Sequence, residues 1–246
     1  MKGLKAVIAF LSIIPVGREP FSLEDVAENM YLFPLVGLFL GAIFGLLNSL
    51  LLAHASPLLA ATLTFMFIEV FTGFHHIDGL LDFGDGVMAW GPPERKIAVM
   101  HDKQVGAGGY TLGLASSLVT VASLSSLNFA ESMLTLILAE CFAKLSMTIA
   151  AHLGASAYPG INRLFVSAMK KKGAMAKTVA ATLPAVLIAV FTGKPLFFLK
   201  LLIASTLTTL ILLAISNRHF KGVTGDVFGA INELSRMAAL VAAVIT

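Results

Sequence analysis

Seven stretches of this 246-residue chain are apolar over the length that a bilayer demands, and this limits the fold before any motif is considered. They cover residues 33–53, 57–74, 108–127, 133–151, 174–191, 195–216 and 228–245, each bounded by glycine, proline or charge. A membrane-crossing helix takes about 20 apolar residues. Composition agrees, since 57% of residues are hydrophobic and 13% charged, where a soluble domain carries about 25% charged residues. The expected fold is an all-α integral membrane protein with about seven transmembrane helices, forming a single polytopic helical domain over residues 1–246. No low-complexity segment and no convincing internal repeat interrupts it.

The cations give the expected orientation. Lys2, Lys5, Arg18, Arg95, Lys96, Lys103, Arg163, Lys170, Lys171, Lys172, Lys177, Arg218 and Lys221 fall on one side of a seven-span arrangement, and Lys194 alone falls opposite. Lys144, Lys200 and Arg236 lie inside spans. The positive-inside rule then predicts a cytoplasmic N-terminus, three long cytoplasmic loops and an outside C-terminus, in a multi-pass protein of the cell membrane. The net charge of +3 and pI near 9.0 are explained by the same sorting, so the lipid bilayer and not nucleic acid is the expected partner. Lys2 and Lys5 precede a nine-residue apolar run, 6–14, with no small-x-small cleavage site before Pro15 and Gly17. It predicts a retained interfacial or re-entrant helix at about residues 4–15. Cys141 has no partner in the chain, which excludes an intrachain disulfide and a cysteine-cluster metal site.

The second span runs into Asp78, Asp82 and Asp85, spaced i, i+4 and i+7. On a helix this puts three carboxylates on one face. Their mutual repulsion near a low-dielectric boundary calls for a neutralising cation, and an all-oxygen donor set suits Mg²⁺. A solvated helix end explains one such acid, but three on one face continuing a hydrophobic span point to use. Glu69, about two turns earlier if the helix is continuous, is a further intramembrane acid and a candidate metal ligand. His75 and His76 are each candidates to orient a phosphate or to serve as a base, although a structural role fits either as well.

Two later segments add to this face. Arg95, Asp102 and Lys103 adjoin a glycine-rich turn with Gly106 and Gly109, a pattern suited to anionic oxygens. Topological charge explains Arg95 equally well. The last cytoplasmic connection holds Thr224, Asp226 and Glu233 among glycines. Asp226 either caps the final helix or joins the first cluster, where two groups of carboxylates can hold metal against a pyrophosphate. Glu140 and Lys144, at i and i+4 in the fourth span, are expected to neutralise one another, with Lys144 bordering the substrate cavity.

These residues resemble the cobalamin synthase family, the adenosylcobinamide-GDP ribazoletransferases. The likeness rests on Thr72, Gly73, His75, Asp78, Gly79, Leu80, Asp82, Asp85 and Gly86; on Met100, Asp102, Gly106 and Gly109; and on Gly222, Thr224, Gly225, Asp226, Gly229, Ala230 and Glu233. Phe10, Leu11, Pro15 and Val16 match the family's opening. The resemblance implies a Mg²⁺-dependent phosphotransferase that joins adenosylcobinamide-GDP to α-ribazole or α-ribazole 5′-phosphate, releasing GMP; the sorting of cations predicts that its active site is on the cytoplasmic face. On that reading Asp82, Asp85, Asp226 and His75 are catalytic. His76, Arg95, Asp102, Lys103, Gly106, Gly109, Lys144 and Thr224 bind substrate, and Asp78, Asp82, Asp85, Glu69, Asp226 and Glu233 ligate metal. Homo-oligomerisation stays open. The alternatives are a cation-coupled transporter, which would place acids near the midplane, and another metal-dependent membrane phosphoalcohol transferase. The CDP-alcohol phosphotransferase signature is broken here by Leu81 and Asp82.

Overall fold

The computed structural model describes residues 2–16 and 21–245; Arg18 of the cation tally lies outside them. Among these residues there is no strand, only an isolated bridge between Ser156 and Val223. The helices are α1 (Lys2–Leu11), α2 (Leu23–Glu28), α3 (Phe33–Leu52), α4 (Pro57–Phe71), α5 (His75–Met88), α6 (Pro93–Met100), α7 (Ala107–Ser125), α8 (Phe129–Leu153), α9 (Ile161–Met169), α10 (Ala174–Phe191), α11 (Pro195–Phe220) and α12 (Gly225–Val244). Six of them are long and apolar enough to cross a membrane, and α4 with α5 makes a seventh if that bent pair is one span. The all-helical, multi-span expectation is borne out.

Local chemistry starts and stops these helices. Ser56 caps α4 by accepting the Leu59 N–H, with Pro57 at its first position, where a missing N–H costs nothing. Asn128 caps α8 in the same way through Glu131. Three short helices, α2, α6 and α9, lie outside the seven apolar stretches.

The core is α8, most of whose residues are buried. Along it runs α3, whose Gly37, Gly41 and Gly45 repeat every four residues and therefore share one face. A β-carbon on Gly37 or Gly41 would meet the Glu140 or Leu136 carbonyl oxygen at 2.5 Å, and one on Gly45 the Met133 Cα at 3.0 Å. In lipid, where apolar burial gives little drive for association, close backbone packing of this kind holds helices together.

The helix is not continuous from Glu69 to Asp78, the condition under which the two acids would stand about two turns apart on one helix. Thr72 ends α4, Gly73 and Phe74 both adopt positive φ (70° and 60°), and α5 leaves at 92° to α4. With α4 crossing the bundle, α5 lies across its end, outside the crossing helices. Gly79 meets the start of α12 and Gly84 the start of α7. The long connections converge at this same end: His101 bonds Tyr158 at 3.2 Å, Ala157 N–H donates to the Val223 carbonyl at 3.0 Å, and Lys96 Nζ lies 3.1 Å from His219 Nδ1. The N-terminal segment joins them through Ile13 N–H to the Phe71 carbonyl at 2.9 Å.

Candidate active site

The acidic face of α5 forms as the spacing predicted, because residues 75–88 are one helix. What brings a fourth carboxylate to it is glycine. A β-carbon on Gly79 would meet the Asp226 Cα at 3.0 Å and the Gly229 Cα at 3.3 Å. One on Gly229 would meet the His76 carbonyl oxygen at 2.9 Å. The backbones of α5 and α12 therefore cross in direct contact, and Asp226 sits beside Asp78 and Asp82 across some 140 residues of chain. On the other flank, a β-carbon on Gly84 would lie 2.9 Å from both the Gly108 carbonyl oxygen and the Gly109 Cα, so α7 packs as closely.

Crowding marks the electrostatics. The Asp82 carboxyl is pushed up to about 7, first by burial and then by the charges of Asp226, Asp78 and Asp85. Asp85 is held differently: its two carboxylate oxygens accept the Gly106 N–H at 2.7 Å and the Gly109 N–H at 2.8 Å. The glycine turn at the positive end of α7 thus grips a carboxylate of the protein itself. The amides of Gly106 and Gly109, expected to hold substrate oxygens, have Asp85 as their partner.

Thr224 also has a local task. Its hydroxyl oxygen accepts the Val227 N–H at 3.2 Å, capping α12, and its O–H donates to Asp226 at 3.2 Å. Capping therefore falls to Thr224, which leaves the Asp226 carboxylate turned to other groups. His75 is exposed at the start of α5, beside a cavity that Asp226 also lines. His76 is buried there, and burial holds its imidazole well below the ordinary value and hence neutral. Arg95, Asp102 and Lys103 are exposed on the connection between α5 and α7, where Asp102 accepts the Gln104 N–H at 3.1 Å.

Glu69, Glu233 and Lys144 are placed away from the acidic face of α5, in a buried cluster whose centre the sequence reading did not single out. Arg236 donates to Glu69 at 2.6 Å, to Glu140 at 3.2 Å and to Glu233 one turn back. Lys144 pairs with Glu140 at 2.7 Å, as its i, i+4 spacing predicted. Glu69 and Glu233, candidate metal ligands from sequence, thus have a guanidinium as their partner. Arg236 carried one signal, a cation inside an apolar run, but two of its three partners lie 167 and 96 residues away.

Among the described residues no three His, Cys, Asp or Glu side chains close tightly enough to enclose a metal ion. Mg²⁺ does not require such a cage, since it is usually held by one or two carboxylates plus water and substrate phosphate. A set of crowded aspartates, one of them raised by burial and by its neighbours, is the donor chemistry that such an ion suits.

The cobalamin-5-phosphate synthase family model matches residues 3–244. An adenosylcobinamide-GDP ribazoletransferase of Methanocella arvoryzae is 36% identical over 98% of this chain and 94% of its own length. Proteins of the same description from Methanococcoides burtonii (30% identical, 97% of this chain and 90% of the relative) and Syntrophobacter fumaroxidans (32%, 95% of each) are also similar. No solved structure matches the chain.

Proposed function

The chain belongs to the cobalamin-5-phosphate synthase family, and from that premise we propose that it joins adenosylcobinamide-GDP to α-ribazole or α-ribazole 5′-phosphate with release of GMP. The observation that carries this reading is the convergence of Asp78, Asp82, Asp85 and Asp226 at one end of the bundle, arranged by the Gly79 crossing. The substrate's pyrophosphate needs its charge neutralised, and the acceptor hydroxyl needs a base. In the reaction the acceptor oxygen bonds to the cobinamide-side phosphorus, the bond from that phosphorus to the GMP oxygen breaks, and the hydroxyl proton passes to a protein group.

Asp78 and Asp226 would hold Mg²⁺, and Asp85 fixes the turn that begins α7. When bound, the ion supplies charge to offset the pyrophosphate and the leaving GMP. Asp82, raised to about 7, suits the task of taking the hydroxyl proton near neutral pH. Arg95 and Lys103, exposed beside the site, would meet phosphate oxygens. The excess of cations at this end supports placing it on the cytoplasmic face. A transport role has less support, because these four acids gather at the end of the bundle while the acids deeper in the spans are paired with Arg236 and Lys144.

The test is turnover by the purified chain in detergent with adenosylcobinamide-GDP and α-ribazole. Product that forms with Mg²⁺ and stops on chelation supports the proposal. Absence of product at any metal concentration refutes it.

A further inference from the structure

Beside the acids, a cavity of about 660 Å³ opens between α1, α9 and the starts of α5 and α12. Its wall is aromatic. Phe10 lies 5.6 Å from Phe165 and 6.1 Å from Phe33, ring centre to ring centre, and Phe165 lies 6.2 Å from Phe228. Asp226 lines one edge, so whatever fills the cavity ends at the acid cluster.

Two buried polar groups on this lining have an unpartnered atom. Asn162 gives its amide N–H groups to Ser156 Oγ at 2.9 Å and the Val223 carbonyl at 2.8 Å, which fixes its orientation and leaves Oδ1 without a donor. His76 has no partner for Nδ1. Buried polar atoms are ordinarily satisfied, so each calls for a group that the protein alone does not supply. The first accepts a hydroxyl hydrogen. The second, an imidazole nitrogen, can donate to a ring nitrogen.

We propose that this cavity is the nucleoside acceptor's subsite: it takes a flat bicyclic base of benzimidazole type, with Asn162 receiving a ribose hydroxyl and His76 facing the free ring nitrogen. The inference rests on the proposed function and adds which substrate sits where. Guanine fits less well, because its polar edge presents several donors and acceptors to a wall of phenylalanine and methionine, and unpaired polar groups are costly to bury. A corrin ring with its amide side chains is too large for the cavity. Stacking on phenylalanine favours a flat base of either kind, so the sparse polar lining is what selects.

The test uses steady-state kinetics of the purified full chain with each substrate varied in turn, together with direct binding of α-ribazole. Ile161, exposed at the rim, and Ala9, half-buried in the wall, line the cavity and are neither charged nor part of the acid cluster. Ile161→Trp and Ala9→Leu should each raise the KM for α-ribazole about tenfold, the scale of one lost stacking contact. The KM for adenosylcobinamide-GDP, and kcat at saturating α-ribazole, should hold. Guanosine should fail to displace bound α-ribazole at equal concentration. If the KM for adenosylcobinamide-GDP rises instead, or guanosine competes equally, the subsite belongs to the other substrate and the inference is overturned while the proposed function stands. If neither KM moves in either variant, the inference is likewise overturned. A wild-type chain with no turnover removes both.

Discussion

Arg236 Nη2 on α12 lies 2.6 Å from Glu69 Oε1 on α4, two buried groups 167 residues apart in sequence. The same guanidinium also reaches Glu140 and Glu233, so one side chain ties α4, α8 and α12 together. Removing it leaves three acids with only Lys144 among them. Arg236→Ala should therefore destabilise the protein by on the order of 3–5 kcal/mol, as breaking a buried pair does. Thermal unfolding in detergent would show this, and Arg236→Lys should recover only part because it loses the forked geometry. An unfolding temperature equal to wild type would show that the cluster contributes nothing to stability.

Gly79→Ala tests the crossing that assembles the acids. The added carbon meets the Asp226 Cα at 3.0 Å, so the start of α12 must shift by several tenths of an ångström. The helices remain, and the geometry between Asp226 and the α5 acids does not. Turnover should fall by about 10²-fold with near-native unfolding behaviour, the scale of a small misplacement in a catalytic constellation. Activity within twofold of wild type would mean that Asp226 need not sit there.

Asp82 and Asp226 should act as one unit. Asp82→Asn and Asp226→Asn are each expected to cut turnover by orders of magnitude, while the double variant loses far less than the product of the two. Losses that multiply would separate Asp226 from the site and leave it hydrogen bonded to Thr224 alone.

The raised Asp82 carboxyl gives a pH dependence whose sign can be worked out. A base must be deprotonated, so activity at limiting Mg²⁺ should rise with pH through about 7, the value set by burial and by Asp226, Asp78 and Asp85. A cation bound to those neighbours removes part of the repulsion, which shifts the rise to lower pH at saturating Mg²⁺. Asp82→Asn should abolish the limb. A rise at the same pH under both metal conditions would assign it to another group.

Sidedness is open to labelling. Single cysteines at Lys103 and Gly160, both exposed on connections that meet at the site end, should react with a membrane-impermeant reagent from the same side of the membrane, and one at Lys194 from the other. Labelling of Lys103 and Gly160 positions from opposite faces would break the seven-span arrangement.

Length and periodicity made most of this fold legible. Spans 174–191 and 195–216 match α10 and most of α11, and the i, i+4, i+7 acids do share a helical face. The turn between α4 and α5 was hidden because nothing in the type of residue 74 signals φ of 60°; a bulky side chain rarely takes the left-handed conformation that Phe74 adopts. The short amphipathic α6 and α9 were masked by the same charges that carry the expected orientation. Partnerships were hardest to see. Gly106 and Gly109 looked like a phosphate cradle until Asp85 was found to occupy their amides, and Glu69 and Glu233 looked like metal ligands until Arg236 was placed between them. A lone sequence lists candidate charges and leaves their pairing to three dimensions.

Because α12 follows α4, α5 and α8 in the chain, it also leaves the ribosome after them. Glu69 and Glu140 are therefore delivered to the membrane before Arg236, and the α5 acids before Asp226. The same late segment supplies the counter-charge that settles the bundle and the carboxylate that completes the acidic face. Neutralisation of the buried acids and completion of the acidic face thereby become one event, timed by the synthesis of α12.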